Sequence, residues 1–475
     1  MSSNNNRLPK QFPILHNFSF GSGDIRGIFG EFPINADGFY CIGFALNNTD
    51  NGLYSYDPLN KVSKSFLVIQ DTRDSGKILK EALIYGLGND LNILDCGVLP
   101  TSAAKPLLQK NPDIGFALII SASHNGSEFN GLKIFTQAGY LTSEQLEELN
   151  ESYEHWFLNI DEDSYYPVET IDKPIQAINL QAQAFEDYKN YILQQFSPMD
   201  FLGFNKVVLD CANGAASIIA PAIFAALKIN TVVINNQPDG QNINAGCGST
   251  NPEVFREAVL ENNACIGFSF DGDADRVVGC NKFGEIKDGD DILAVLSLSE
   301  KYMQDYGVVG TSMSNTALEL FLAEHNKLLA RSDVGVAAVM KEMQEDFLNL
   351  GGEPSGHILL SDQDFVSDGI LVALTVLKAL AQQQNFEFKT FKKFFSGLSA
   401  INTLQKIPLE SPTIKRLEAQ ALTLLGTGRI LLRYSQTEPV LRILVESQEE
   451  AQGRVVLDNL TQELKKLFNH SNLEK

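Results

Sequence analysis

Two groups of residues have types and spacings that suggest chemistry. The first is Ser121-Ala122-Ser123-His124-Asn125, which places a hydroxyl, an imidazole and an amide directly after the apolar run Phe116-Ala117-Leu118-Ile119-Ile120. A short β-prone run bounded by polar residues reads as a buried strand. In parallel α/β sheets the C-terminal strand ends carry the ligands. The second is Asp271-Gly272-Asp273-Ala274-Asp275-Arg276, with three carboxylates at alternate positions after the strand pattern Ile266 to Phe270. Such carboxylates repel one another unless a cation sits among them. Hard oxygens at this density suit Mg2+, which keeps open positions for water or phosphate oxygens. An EF-hand loop is excluded on spacing, because it needs Gly where Arg276 stands and Glu where Lys282 stands. A solvated acidic turn and an aspartyl-phosphate phosphatase motif are the competing readings. The latter usually has Thr or Val where Asp275 stands.

Ser123 lacks the Gly-x-Ser-x-Gly elbow of a hydrolase nucleophile. A serine paired with a distant Mg2+ loop fits phosphoryl transfer better, where the metal neutralises charge and positioning does most of the catalysis. Lys133, ten residues on, is a candidate to neutralise a phosphoserine or to move a proton, against the ordinary reading of a surface lysine. Gly351-Gly352-Glu353-Pro354-Ser355-Gly356-His357 offers a carboxylate, a hydroxyl and an imidazole suited to sugar hydroxyls. Arg433-Tyr434-Ser435-Gln436-Thr437-Glu438-Pro439 reads as an anion-binding loop, with Arg available for bidentate phosphate contact. Arg26 and Arg73 stand near other strand ends, where an ion pair is the plainer reading of each.

The elements that must position these loops alternate strand and helix patterns, which implies βαβ crossovers and mainly parallel sheets. Phe66 to Ile69, Leu91 to Leu94 and Phe116 to Ile120 read as strands of a first unit. Thr142-x-x-Gln145 has the form of a capping box, with Leu146, Leu149, Tyr153 and Trp156 as one apolar stripe behind it. The acidic stretch from Asp161 to Pro174 reads as linker. Val207 to Leu209, Val232 to Ile234 and Ile266 to Phe268 begin a second unit, and Val308-Val309 to Ile358-Leu360 form a third. The tail differs: strands at Ile430 to Leu432 and Leu441 to Val445, then a helix through Val456, Leu460, Leu464 and Leu467, suggest a small α+β unit.

The 475 residues, 44 % apolar and 20 % charged, are enough for several packed cores. A net charge of −22 argues against nucleic-acid or anionic-membrane partners, so an anionic substrate must be met by local Arg and Lys. The six scattered cysteines include no Cys-x-x-Cys pair and read as core residues of a cytoplasmic protein. No apolar run approaches the roughly 18–20 residues of a membrane span, and Met1 to Lys10 reads as a polar tail without a signal-peptide core.

In this order the motifs resemble the α-D-phosphohexomutase superfamily over about residues 18–470, and within it most resemble the bacterial phosphoglucosamine mutases. Besides the serine loop, the resemblance lies in Asp210-Cys211-Ala212-Asn213-Gly214-Ala215, Pro238 to Asn244, Gly246-Cys247-Gly248-Ser249-Thr250, Gly310-Thr311 and Met313-Ser314-Asn315. It implies three consecutive α/β domains and a C-terminal α+β domain around a central cleft. The expected boundaries are a tail at 1–17, then 18–175, 176–290, 291–397 and 398–475.

The resemblance further implies that Ser123 carries a phosphoryl group, primed by a sugar bisphosphate or a kinase. It implies one Mg2+ held by Asp271, Asp273, Asp275 and that phosphoserine, with His124, Lys133 and Arg26 in the catalytic set. Arg276, Glu353, Ser355, His357, Arg433, Ser435 and Thr437 would hold a hexosamine or hexose phosphate in a monomer or homodimer. The expected reaction interconverts glucosamine 6-phosphate and glucosamine 1-phosphate through a bisphosphorylated sugar. A phosphomannomutase or phosphoglucomutase, and a catalytically weak phosphosugar binder, are the alternatives. Four departures bear on the choice: Gly126 for the family's Pro, Pro354 for Gln, Gln436 for Gly, and Val336-Ala337 where related mutases carry Asp-Arg or His-Lys.

Overall fold

The apolar runs form the centres of four sheets in a computed structural model. It describes residues 24–47, 65–88, 91–137, 139–141, 144–151, 177–361, 366–403, 406–435 and 439–470. The first sheet contains β1 (Asp24–Ile28), β2 (Ser65–Gln70), β3 (Asn92–Val98), β4 (Phe116–Ile120), β5 (Phe129–Thr136), β6 (Gly139–Tyr140) and β7 (Ile178–Asn179). Its order is β1-β5-β4-β2-β3-β7, with β6 beside β5. β2 pairs in parallel with β3 and β4, whereas β5 runs antiparallel to both β4 and β1.

Side chains alternate across a strand, and here both faces are apolar because both are covered. Phe66, Val68, Leu118 and Ile120 pack with residues of helices Ala36–Asn47 and Ser75–Leu87 in one core. Leu67, Ile69, Ala117 and Ile119 face a second core, which continues through Val207, Phe268 and Leu293 as far as Phe388.

The second sheet, β12-β11-β10-β8-β9, is built from β8 (Val207–Asp210), β9 (Thr231–Ile234), β10 (Ile266–Phe270), β11 (Val277–Asn281) and β12 (Ile286–Lys287). The third, β14-β13-β15-β16, uses β13 (Gly307–Thr311), β14 (Leu328–Ser332), β15 (Leu350–Gly352) and β16 (Ile358–Leu360). These two sheets, like the first, join parallel pairs to an antiparallel edge.

The fourth sheet is wholly antiparallel, β17-β19-β18, with β17 (Phe395–Asn402), β18 (Gly428–Tyr434) and β19 (Val440–Ser447), and it packs on helices Pro412–Leu425 and Glu450–His470. The α/β and α+β classes read from the sequence are therefore present. Strand β17 and helix Pro412–Leu425 are additions to that reading.

Residues 144–151 are helical, with Leu146 and Leu149 buried. The other members of that predicted helix stripe (Tyr153 and Trp156), Thr142 of the capping box, the acidic linker and the N-terminal tail lie outside the described residues. The cysteines are free thiols, five of them buried and Cys265 partly so. Among the described residues no helix is long and apolar enough to cross a membrane.

Candidate active site

β4 ends at Ile120, and the chain turns immediately into Ser121 to Gly126. Ser123 is fully buried, with φ 53°. A non-glycine residue enters that left-handed region only where its surroundings hold it there. Two side chains do so. Arg73, fully buried, donates Nε to Asp71 (2.9 Å), Nη2 to the carbonyls of Ser123 (3.1 Å) and Asn125 (2.8 Å), and Nη1 to those of Phe129 (2.9 Å) and Gly126. All five N–H groups of the guanidinium are thereby used on the loop and its counter-ion. Asn244 Nδ2 donates to the same Ser123 and Asn125 carbonyls, each at 2.9 Å. Asp71 also accepts from Ser121 Oγ (2.7 Å), whose oxygen accepts from Ser123 N (2.9 Å). Gly126, which stands where the family carries Pro, has its carbonyl fixed by Arg73.

β10 ends at Phe270 beside this turn and delivers the three aspartates. Ser123 Oγ donates to Asp271 Oδ2 at 2.6 Å, and Lys133 of β5 donates to Asp273 Oδ2 (2.5 Å) and Asp275 Oδ2 (2.6 Å). A Cβ at Gly272 would lie 2.6 Å from the Ser123 carbonyl and 2.8 Å from Asn244 Nδ2, so only glycine lets the two loops approach this closely. Asp273 also accepts from Thr101 Oγ1 (2.5 Å), and Asp271 accepts from Arg276 N (3.1 Å). Ser367 Oγ donates to the Asp275 carbonyl (2.6 Å) and Gly369 N to that of Ala274 (2.9 Å), which braces the loop from the third sheet's side.

The electrostatics follow from this crowding. Burial, with Asp275 and Asp273 close by, pushes the Asp271 carboxyl well above the ordinary range. Burial also acts upward on Asp275, but the Lys133 ammonium, His357 and Arg276 outweigh it and hold that carboxyl well below. Lys133 is disfavoured by burial, yet Asp273 and Asp275 raise it above an ordinary lysine. Burial, reinforced by Arg276 and Arg26, lowers His124 to about 4. Its Nδ1 lies 3.4 Å from Ser123 Oγ.

The Asp271, Asp273 and Asp275 oxygens lie within 4.8 Å of one another and form a group that could hold a metal ion. The fit is supported by Asp273 Oδ1 and Asp275 Oδ1, buried carboxylate oxygens that no hydrogen bond satisfies.

The remaining predicted residues are placed around this centre. Arg26 of β1 pairs with Asp24 (2.8 Å), and the three aspartates contribute to raising its pKa. Arg276 Nε stands 3.9 Å from Asp275, and His357 Nδ1 stands 3.6 Å from the same Oδ1. Glu353 is buried and accepts from Gly335 N (3.0 Å), immediately before the helix Val336–Glu345. Ser355 is exposed on that loop. Val336 is half-buried and Ala337 exposed, so the departure puts apolar side chains at the helix start beside Glu353. Arg433 and Ser435 lie on the fourth sheet and its loop and make no hydrogen bond or ion pair with the aspartates. Thr437, together with the Gln436 departure, lies outside the described residues.

Sequence reasoning missed Asn244 and Thr101 as site residues and read Arg73 only as a possible ion pair. Pro238 to Asn244 stood among the resembling motifs, but no letter in the chain says which strand end that loop reaches.

Four family models match the chain in series: the phosphoglucomutase/phosphomannomutase alpha/beta/alpha domains I, II and III over residues 17–158, 186–283 and 288–396, and the C-terminal domain over 400–462. A phosphoglucosamine mutase of Acinetobacter baylyi is 37 % identical over 441 residues, 91 % of this chain and 95 % of that one. A phosphoglucomutase/phosphomannomutase family protein of Burkholderia thailandensis superposes with TM-score 0.72 at 21 % identity, covering 94 % of this chain and 97 % of that one. An N-acetylphosphoglucosamine mutase of Aspergillus fumigatus, solved with GlcNAc-6P and magnesium, shares the fold with TM-score 0.59 at 14 % identity, covering 95 % and 96 %. The chain belongs to the α-D-phosphohexomutase superfamily and, within it, to the phosphoglucosamine mutase family. It is accordingly an isomerase of the phosphotransferase kind.

Proposed function

We propose that this enzyme interconverts glucosamine 6-phosphate and glucosamine 1-phosphate through a phosphoryl group carried on Ser123 and a bisphosphorylated sugar. The observation that carries the mechanism is the buried Ser123 hydroxyl, 2.6 Å from Asp271 in a cluster of three carboxylates and one lysine. The choice of amino sugar rests on the relatives' name. One Mg2+ fits Asp271, Asp273, Asp275 and the Ser123 phosphate, where it supplies charge neutralisation for phosphoryl transfer.

The free sugar hydroxyl attacks phosphorus, the bond to Ser123 Oγ breaks, and the hydroxyl proton passes to a neutral base. His124 is placed for that role, with its Nδ1 3.4 Å from Ser123 Oγ. Lys133, raised by its carboxylate partners, stays an ammonium and acts by charge. The bisphosphate then turns over in the cleft, and Ser123 takes back the other phosphate. Arg276, Glu353, Ser355 and His357 grip the sugar, Arg433, Ser435 and Thr437 its standing phosphate, and Arg26 the transferring group. Ser123 is primed by a sugar bisphosphate or a kinase. The same reading divides the chain at 175, 290 and 397 and places a monomer or homodimer in the cytoplasm.

The test is the intact mass of the purified protein, before and after glucosamine 6-phosphate, Mg2+ and a bisphosphate primer, with product followed in parallel. One phosphate on Ser123 with glucosamine 1-phosphate formed is the expected result, and Ser123→Ala should bind substrate without turnover. Phosphate without amino-sugar product would move the assignment to glucose or mannose phosphates. Neither phosphate nor turnover would refute it.

A further inference from the structure

The turn Ser314-Asn315-Thr316, between β13 and the helix Thr316–Glu324, takes no part in the chemistry above. It is nevertheless where hydrogen bonds from several units converge. Asn315 N donates to Asp290 of the helix Gly289–Ser297 (2.7 Å). The Asn315 side chain caps its own helix through Ala317 N (3.0 Å). It also grips Phe394, the residue before β17, by accepting from its N–H and donating to its carbonyl, both at 3.1 Å. The Ser314 carbonyl accepts from Arg331 of β14 (2.6 Å) and Arg429 of β18 (2.8 Å). Thr316 donates N (3.0 Å) and Oγ1 (2.6 Å) to Glu446 Oε2 of β19, which also accepts from Arg429 Nε (2.7 Å). Glu446 is completely buried. An anion there is favoured by the helix N-terminus and by charge-assisted bonds.

This turn reaches two substrate loops. Gly289, beside Asp290, donates to the Pro354 carbonyl (3.1 Å), and a Cβ on it would lie 1.8 Å from the Glu353 carbonyl. The Glu353–His357 loop therefore rests directly on that helix start. In the other direction, Arg429 lies on β18, the strand that ends next to Ser435 and carries Arg433. The core of the fourth sheet draws on residues between Ile401 and Phe468 alone, so a polar joint has that sheet's orientation to fix.

We infer that Glu446 is a positioning residue, which through Thr316 and Arg429 sets the separation between the Glu353–His357 loop and the Arg433–Ser435 loop. The fit of one hexosamine phosphate spanning both loops depends on that separation. The inference rests on the mutase reading above. A joint that only holds the two gripping loops apart acts on contacts which substrate and transition state share, so its loss is read in KM before kcat.

The experiment is steady-state kinetics on Glu446→Gln and Thr316→Val, with amide hydrogen exchange on the same proteins. Glu446→Gln is expected to raise KM for glucosamine 6-phosphate about tenfold and to raise the bisphosphate requirement, with kcat at saturation within about threefold of wild type. Thr316→Val, which changes one hydroxyl, should move KM the same way by about threefold, and it serves alone if the glutamine variant does not fold. Unchanged KM in the folded variants, or a fall in kcat without a rise in KM, overturns the inference. If the wild type converts no glucosamine phosphate, the mutase reading fails on its own, and exchange then decides the joint. Faster exchange in β18 and β19 with β10 unaffected supports it, and unaltered β18 and β19 refute it.

Discussion

At the residue scale, the centre balances three buried carboxylates against one ammonium, with Arg276 and His357 at the margin. Lys133→Met leaves Asp273 and Asp275 without that partner. Breaking a buried pair from one side typically costs about 3–5 kcal/mol. The melting temperature should therefore fall in a metal-chelating buffer and recover in part with Mg2+. An equal fall in both buffers would show that no cation shares the site with Lys133. Thr101 makes a subtler contribution, because its hydroxyl orients Asp273 from outside the cluster. Removing such a support usually weakens a metal about 10–100-fold. Thr101→Val should raise the Mg2+ concentration needed for half-maximal activity by a factor in that range while leaving saturated activity near wild type. An unchanged Mg2+ profile would count against the aspartates as the metal site.

At the scale of elements, helix Gly289–Ser297 begins in an acidic turn, Asp288 to Asp291, with Lys393 against it. Burial, with Asp288 beside it, raises Asp290 to about 7. The folded protein therefore keeps a proton there that the unfolded chain loses near 3.8, so this carboxyl's contribution is fully present below the lower value and gone above the higher one. Wild type should lose about 2–3 kcal/mol relative to Asp290→Asn between about pH 5 and 7.5, with no further change at higher pH. Parallel urea titrations of the two proteins at several pH values measure it, and a constant difference would refute the assignment.

The elements also show what the letters could carry. Ser123, Lys133 and the aspartates were legible because each follows or lies in a short apolar run whose strand-end chemistry is local. β17 was not, since the large apolar residues of Phe395-Ser396-Gly397-Leu398-Ser399-Ala400-Ile401-Asn402 recur every third position rather than every second, and Leu398 is exposed. Helix Pro412–Leu425 had a legible start, Ser411 before Pro412, which the sequence reading passed over. Arg73 and Asn244 act on backbone carbonyls far along the chain, and no spacing encodes a contact of that kind.

At the scale of the whole molecule, apolar packing is unevenly shared. One core runs from Leu67 to Phe388 through the first three sheets, while the fourth sheet keeps its own. Elements sharing a core open together, and a unit with a separate core can open alone. Scanning calorimetry should resolve two transitions, the smaller from residues beyond about 395, and a single transition with equal calorimetric and van't Hoff enthalpies would contradict it. The shared core has a further consequence on the ribosome. The face of the second sheet that bears Phe268 and Val277 cannot be fully covered until the helix Gly369–Gln382, which packs on β10 and β11, and Phe388, which lies against Gly279, have been made. At about 5–20 residues per second that interval is on the order of ten seconds. For that time the nascent chain exposes an apolar face that a chaperone must shield, whereas the fourth sheet can close soon after its last helix leaves the exit tunnel.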